Sequence, residues 1–577
     1  MTIDSPLASL PPSDSPVASL APSDSPVASL APSDSRTHVD AIVIGAGFSG
    51  LAILHHLREI GLDTLVLDAQ HGVGGTWLAN RYPGVRTDSE YSYYSFSFSK
   101  EVRDEWSWSQ RYPAGPEVLA YLNFVADRLD LRRDIRLNTR VQSARYDEDA
   151  NTWTVLTEGG EPLVAKYLIS GMGALSQAIY PDIPGIDTFA GEKYHTAYWP
   201  GDGVDLAGKR VGLIGLGASG IQIVPEIAPQ VGEFVVFQRT PNFVVETTND
   251  AVTEADMAWL RDNYDAIYEK AANHPFGVAM EPARFSALEV SDEQRRAIFE
   301  GKWNEGGFHF ANECFNDLAT NHAASELASE FIRFKIREIV KDPATADLLS
   351  TKTYSFNGKR VPTGHGYYDA FNLDHVRLID TASTPITAIT PSGVRVADVE
   401  YELDVLIFAT GFDAMTGTLT NIDIIGRDGI TLRDKWSRDG LRSNLGIGVH
   451  GFPNFFMSLG PQTPYSNLVV PIQLGAQWLQ RALRWARDNG VDVFEATPES
   501  EEWWAQETER TGKATVMYTE GKKAKAWFLG ENVPGKPEAF LVYMGGGQVY
   551  QHHCRELEQS GYESMLATRR VPEPMSS

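Results

Sequence analysis

Residues 39–50 read VDAIVIGAGFSG, and the fold follows from them. A short apolar run ends in glycines at 45, 47 and 50. Residues 51–61, LAILHHLREIG, then repeat apolar side chains at helical spacing and stop at Gly61. Residues 63–69, DTLVLDA, read as the next strand and carry Asp68 near its end. Gly45 allows a tight turn, Gly47 lets a diphosphate approach the backbone, and Gly50 lets helix and strand pack closely. The first helical turn, from Phe48, directs its N–H groups at the phosphates. Asp68 can accept hydrogen bonds from an adenosine ribose. A glycine triplet alone is weak evidence; strand, turn, helix, strand and acid in that order point to a bound dinucleotide.

The pattern recurs at residues 209–220, KRVGLIGLGASG, with Gly215, Gly217 and Gly220. IQIVPEIAPQVG and the strand EFVVFQRT follow. Here Gln238-Arg239-Thr240 stands where the first unit has its acid. A carboxylate favours free ribose hydroxyls, whereas Arg pairs with a 2′-phosphate, so the second site is expected to take NADPH. Alternating strands and helices imply an α/β fold of two doubly wound, Rossmann-like dinucleotide-binding domains. Residues 249–349 change texture: EADMAWLRDNYDAIYEKAA and ASELASEFIRFKIREIVKD are amphipathic helices. They predict a helical insertion packed on the second domain. Strand patterns return with VRLID, with PITAIT at 385–390, and with DVLIFATGFD.

The chain has 577 residues and a net charge of -26. That charge argues against nucleic acid and against an anionic membrane surface. The apolar runs are too short to span a bilayer. Residues 1–35 repeat the ten-residue unit DSPVASLAPS, without the basic start of a secretory signal or the arginines of a mitochondrial leader, so a cytoplasmic location is expected. The two cysteines, Cys314 and Cys554, are far apart and form no CxxC. A disulfide framework, a metal cluster and a redox dithiol are all disfavoured, and no metal is expected. Two dinucleotide sites without redox cysteines suggest hydride flow from NADPH to a flavin, with O2 as the simplest remaining acceptor.

Five further stretches carry a family resemblance. Residues 189–200, FAGEKYHTAYWP, match FxGxxxHxxxWP, with His195 and Trp199. Gly75-Thr76-Trp77, Tyr82-Pro83-Gly84 and Asp88 match GxWxxxxYPGxxxD. Ala409-Thr410-Gly411-Phe412-Asp413 is similar to a third pattern, Gly358-Lys359-Arg360 before Tyr367-Tyr368 to a fourth, and residues 532–537, NVPGKP, to a late loop. Together they resemble the Baeyer–Villiger monooxygenases, over about residues 39–555.

The resemblance implies FAD in the first site and NADPH in the second. It implies that NADPH reduces FAD, that O2 adds to the flavin, and that an anionic peroxide attacks a ketone to give an ester or lactone. Arg360 would hold that anion and Asp88 would hold Arg360. Thr76, Trp77, Leu78, Ala79, Ser89, Tyr94 and Val141 would line FAD. Leu216, Gly217, Ala218, Ser219, Gly220, Ile221, Gln222, Arg239, Thr240 and Lys359 would hold NADPH, and Trp527 would meet the nicotinamide end. Tyr465 and Ser466 are candidates for the ketone pocket. His195 would couple the domains through a linker, and Trp199 is read as core. His365 stands in the Arg360 segment where an acid is the readier expectation, and Glu531 replaces a small residue beyond Trp527. The implied organisation is a tail to 37, FAD-binding parts at 38–175 and 396–570, NADPH-binding parts at 176–248 and 350–395, the insertion between them, and a tail from 571. Two other functions stay open: a flavin N- or S-oxygenase, and a non-catalytic flavin redox sensor.

Overall fold

The computed structural model describes residues 36–534 and 536–569. Most of the repeat tail, the C-terminal tail and Gly535 of the late loop lie outside them. The described residues start two before the expected boundary. Arg36 pairs with Asp63 and Asp134 at 2.5 and 2.9 Å, and Thr37 accepts a hydrogen bond from the Val164 N–H, so both are folded onto the first sheet.

Among the described residues that sheet has eight strands. His38–Ile44 runs parallel to Thr64–Leu67 on one side and Leu163–Ser170 on the other. Val141–Asp147 and Thr152–Thr157 extend it as an antiparallel meander. Asp423–Ile425 and Phe455–Met457 join from the far half of the chain. The second sheet has five parallel strands, in the order Val376–Asp380, Glu233–Gln238, Arg210–Ile214, Val405–Phe408 and Glu192–His195. Its central strands are buried on both faces, which is why VLIF reads as an unbroken apolar run.

Two expectations need correction. The boundary at 396 gave Val405–Phe408 to the first domain, but the strand lies between two strands of the second sheet. A continuous apolar run says that a strand is central and not which sheet it enters. Nor is the helical insertion confined to the second domain. Helix Glu254–Ala272 buries Met257, Leu260 and Tyr264, and Tyr264 Oη bonds Ser95 Oγ and the Phe96 carbonyl of the first domain. Helix His322–Ile339 faces the other way: Arg333 bonds the Thr351 carbonyl, and Ser329 receives the Phe356 N–H. The insertion therefore ties into both domains. Among the described residues no helix is long and apolar enough to cross a membrane.

Candidate active site

Both glycine turns are built so that a side chain would close them. At Gly45, φ is +107° and a Cβ would stand 2.5 Å from the Gly171 carbonyl oxygen; at Gly50 it would stand 1.8 Å from that of Gly45. The second unit repeats this: Gly215 has φ +104° with the Ala409 carbonyl at 2.5 Å, and Gly220 meets Gly215 at 2.3 Å. Ala409 thus does for the second turn what Gly171 does for the first. Helices Phe48–Glu59 and Ala218–Ile227 begin at Gly47 and Gly217 with no side-chain cap. By contrast, Thr253, Ser291 and Asn321 cap the insertion helices with their own side chains. The uncapped N–H groups suit phosphate oxygens.

Asp68 is buried, and its two oxygens accept the Ala46 and Gln70 N–H groups at 2.6 and 2.8 Å. Burial outweighs those bonds and raises its pKa. It braces the first turn while keeping lone pairs for a ribose. Gly75 (φ +54°) packs on Gly47 and starts the turn Thr76–Ala79. Thr76 is exposed and Ala79 partly so; Leu78 packs on Gly72 and Gly74. The Phe48 ring is buried against Tyr94 at 5.6 Å, and Tyr94 meets Trp77 edge-on at 5.7 Å, so Phe48 offers its N–H and not its ring. Val141 follows Thr139, whose N–H reaches the Asp68 carbonyl.

On the second turn Gly217, Ala218 and Ser219 are open, while Leu216 and Ile221 are core residues. Gln222, expected to hold NADPH, ties its amide into the fold: Oε1 accepts from Tyr82 Oη at 2.8 Å and Nε2 donates to the Arg86 carbonyl at 3.1 Å. Gln222 is a brace between the two units. Gly84 completes it, with φ +80° and a Cβ position 2.4 Å from the Gln222 carbonyl. Gly84→Ala should cost about 2 kcal/mol through strain and contact. The expected result is a lower Tm with weaker NADPH binding; an unchanged Tm and KM would contradict the brace.

Arg239 is exposed, Thr240 is partly so, and Arg239 has no acidic partner among the described residues. Lys359 stands near it. Burial, then the Arg239 charge, lowers the Lys359 pKa to about 8. Two cations facing each other without an anion suit a phosphate. Lys359 should therefore lose its proton as pH rises through about 8, and the KM for NADPH should rise about tenfold between pH 7 and 9. Lys359→Arg should flatten that rise; an equal slope in both proteins would exclude Lys359 as its source.

Arg360 and Asp88 form a hydrogen-bonded ion pair, joined by the Thr363 N–H to Asp88 at 3.4 Å. The Asp88 side chain is 4% exposed and that of Arg360 34%. Burial opposes the guanidinium charge, but Asp88, helped by the phenols of Tyr465 and Tyr82, outweighs it and raises the pKa of Arg360. Tyr94, packed on Phe48 of the first unit, and Tyr82, bonded to Gln222 of the second, both feel Asp88 and Arg360, so the pair lies near both units. Ser89 Oγ donates to Asn467 at 3.0 Å. Tyr465 lies close enough to Arg360 to interact with its charge, and burial pushes its pKa up to about 12. Its ring is 6.4 Å from Trp527 and 5.4 Å from Phe276. Ser466 does not join this wall: it bonds the Asn467 carbonyl, sits on Gly277, and lines a neighbouring apolar cleft with Val470, Trp478 and Tyr550.

His195, expected in a linker, is buried at the end of the edge strand Glu192–His195 of the second sheet. Nδ1 accepts the Ala197 N–H at 3.0 Å, so Nε2 carries the proton, 3.3 Å from both the Ile179 carbonyl and Thr410 Oγ1. Burial lowers its pKa, and the neutral ring joins that strand end to the Ala409–Asp413 turn through Thr410. Trp199 is buried against Tyr194, as core. Sequence reading missed the Tyr82–Gln222 brace and the Ser89–Asn467 bond. The YPG spacing could have signalled the first; nothing local signals the second, which spans 378 residues.

The profile of the flavin-binding monooxygenase-like family matches residues 39–277. A phenazine N-monooxygenase of Lysobacter antibioticus is 41% identical over 92% of this chain and 97% of its own. A Baeyer–Villiger monooxygenase of Pseudooceanicola batsensis is 40% identical over 92% and 96%. The solved structure of an oxidized steroid monooxygenase bound to NADP superposes with a TM-score of 0.87 at 42% identity, covering 92% of this chain and all (100%) of that one. Two Rossmann-type domains with matching phosphate turns, together with these relatives, make the chain a member of the Baeyer–Villiger monooxygenases, enzymes that work with FAD and NADPH.

Proposed function

We propose that the protein converts a ketone to an ester or lactone, consuming NADPH, a proton and O2 and releasing NADP+ and water. The observation that carries this reading is the Asp88–Arg360 pair near both dinucleotide units. Bound FAD supplies the chemistry that a side chain lacks, accepting hydride and activating O2. The first turn, with Asp68, holds FAD; the open second turn, with Arg239, Thr240 and Lys359, holds NADPH. Arg360 does the electrostatic work. Its permanent charge stabilises the negative charge that develops on the attacking oxygen and on the ketone oxygen. Asp88 orients the guanidinium. Tyr465 and Trp527 form an apolar wall that keeps water from the reacting atoms.

A cytoplasmic site of action goes with this reading, since NADPH is supplied there. Nitrogen oxygenation is the second reading, favoured by the phenazine-oxygenating relative. A panel of ketones, thioethers and N-heteroaromatics, followed by NADPH consumption and product mass, decides between them. Esters from ketones support the proposal; N-oxides or sulfoxides with no ester from any ketone would overturn it.

A further inference from the structure

Behind the Asp88–Arg360 pair runs a chain of charges that the reaction itself does not use. Glu90 lies two residues beyond Asp88 and is mostly buried. It accepts hydrogen bonds from Nε and Nη2 of Arg111 at 2.8 and 2.5 Å, and from Nε2 of His309 at 3.1 Å. His309 stands in Phe308–Glu313, a short helix of the insertion. Its Nδ1 is 2.9 Å from Glu313 and 3.4 Å from Glu305. Lys302 closes the cluster, reaching Glu305 and Glu313 at 2.8 and 2.7 Å.

A neutral imidazole has one N–H and one lone pair. With a carboxylate oxygen at each ring nitrogen, only the imidazolium can donate to both; the neutral ring would aim its lone pair at an anion. The charges agree. Three carboxylates, Glu90, Glu305 and Glu313, are matched by Arg111, Lys302 and a protonated His309.

We propose that His309 is a positioning residue: as an imidazolium it clamps the Asp88–Glu90 segment to the helical insertion and so holds Asp88 against Arg360, and loss of its proton releases the clamp. This rests on the oxygenation reading, in which that pair faces the reacting atoms. The segment has a contact at each residue. Asp88 is held by Arg360 and the Thr363 N–H, Ser89 by Asn467, and Glu90 by Arg111 and His309. The His309 contact fastens it to the insertion.

Burial opposes the charge on His309, but Glu313 and Glu90 outweigh it and lift the pKa to about 9. A pKa raised on folding stabilises fully below the ordinary value of 6.5, and that contribution is lost as pH rises through about 9. The other groups facing the cluster stay in one state there. Burial pushes Tyr93 and Tyr112 up, the latter to about 12, and lowers His274 to about 4.

The test compares wild type, His309→Arg and His309→Gln between pH 7 and 10.5, recording kcat for ester formation at saturating NADPH and ketone together with Tm. Wild-type kcat should fall about tenfold between pH 8 and 10, as one group with its midpoint near 9 requires, and Tm should fall over the same interval. Arginine keeps its charge, so His309→Arg should lose both the kcat fall and the Tm fall. At pH 7, His309→Gln should make less ester per NADPH oxidised and show no midpoint near 9. The proposal is overturned if wild type and His309→Arg share one alkaline limb, or if His309→Gln matches wild type at pH 7. If no variant makes ester, the oxygenation reading fails and the positioning role with it. A Tm midpoint removed by Arg would then still report the clamp, which separates the two failures.

Discussion

Arg360→Ala should still bind FAD and accept hydride from NADPH, yet lose ester formation by about 10²–10³-fold, the usual effect of deleting a group that stabilises transition-state charge. The glycine turns that hold the cofactors do not involve Arg360, so flavin content and the rate of flavin reduction should be near wild type. What disappears is the fixed positive charge where oxygen is transferred. NADPH should then be oxidised without ester, with hydrogen peroxide released in its place. The substitution also strands Asp88, 4% exposed, without its partner. A buried carboxylate left unpaired costs about 3–5 kcal/mol, so some loss of stability accompanies the loss of chemistry. Arg360→Lys separates the two. It restores charge without the planar fork, and so should recover Tm more fully than kcat. Normal ester yield from Arg360→Ala would remove Arg360 from the mechanism.

Arg239→Ala should discriminate between the two nicotinamide cofactors. Arg239 is exposed and has no acidic partner among the described residues, so its removal strands no buried group and should leave Tm unchanged. A charge-assisted hydrogen bond to phosphate contributes about 2 kcal/mol, so the KM for NADPH should rise about 30-fold. The KM for NADH, which has no 2′-phosphate, should change little. Equal losses for both would mean that Arg239 does not read the phosphate. Lys359, beside it, supplies the pH dependence of the same contact.

What sequence reading captured, and what it missed, divides by range. Gly45, Gly50, Gly215 and Gly220 were legible because the turn geometry forbids a side chain there and the flanking periods change from strand to helix within a few residues. Asp68 and Arg239 were legible because they stand at fixed distances from those turns. The sheet that Val405–Phe408 enters was not, since an apolar run carries no address. The faces of the insertion helices were visible as amphipathic stripes, but the partners Ser95 and Phe96 of Tyr264 lie 169 and 168 residues away in sequence. Tyr465 and Ser466, adjacent in the chain, were grouped together; the backbone sends one toward Arg360 and the other into the neighbouring cleft. His309 carried no signal, because its meaning comes from Glu90, 219 residues earlier.

The central claim is that Arg360, held by Asp88, supports oxygen transfer to a ketone carbonyl. The most direct measurement incubates the FAD-loaded enzyme with NADPH, a ketone panel and 18O2, and reads product masses. The account predicts an ester or lactone carrying one labelled oxygen from wild type, and almost none from Arg360→Ala despite continued NADPH oxidation. Unlabelled product, or labelled ester formed equally well by Arg360→Ala, would contradict it.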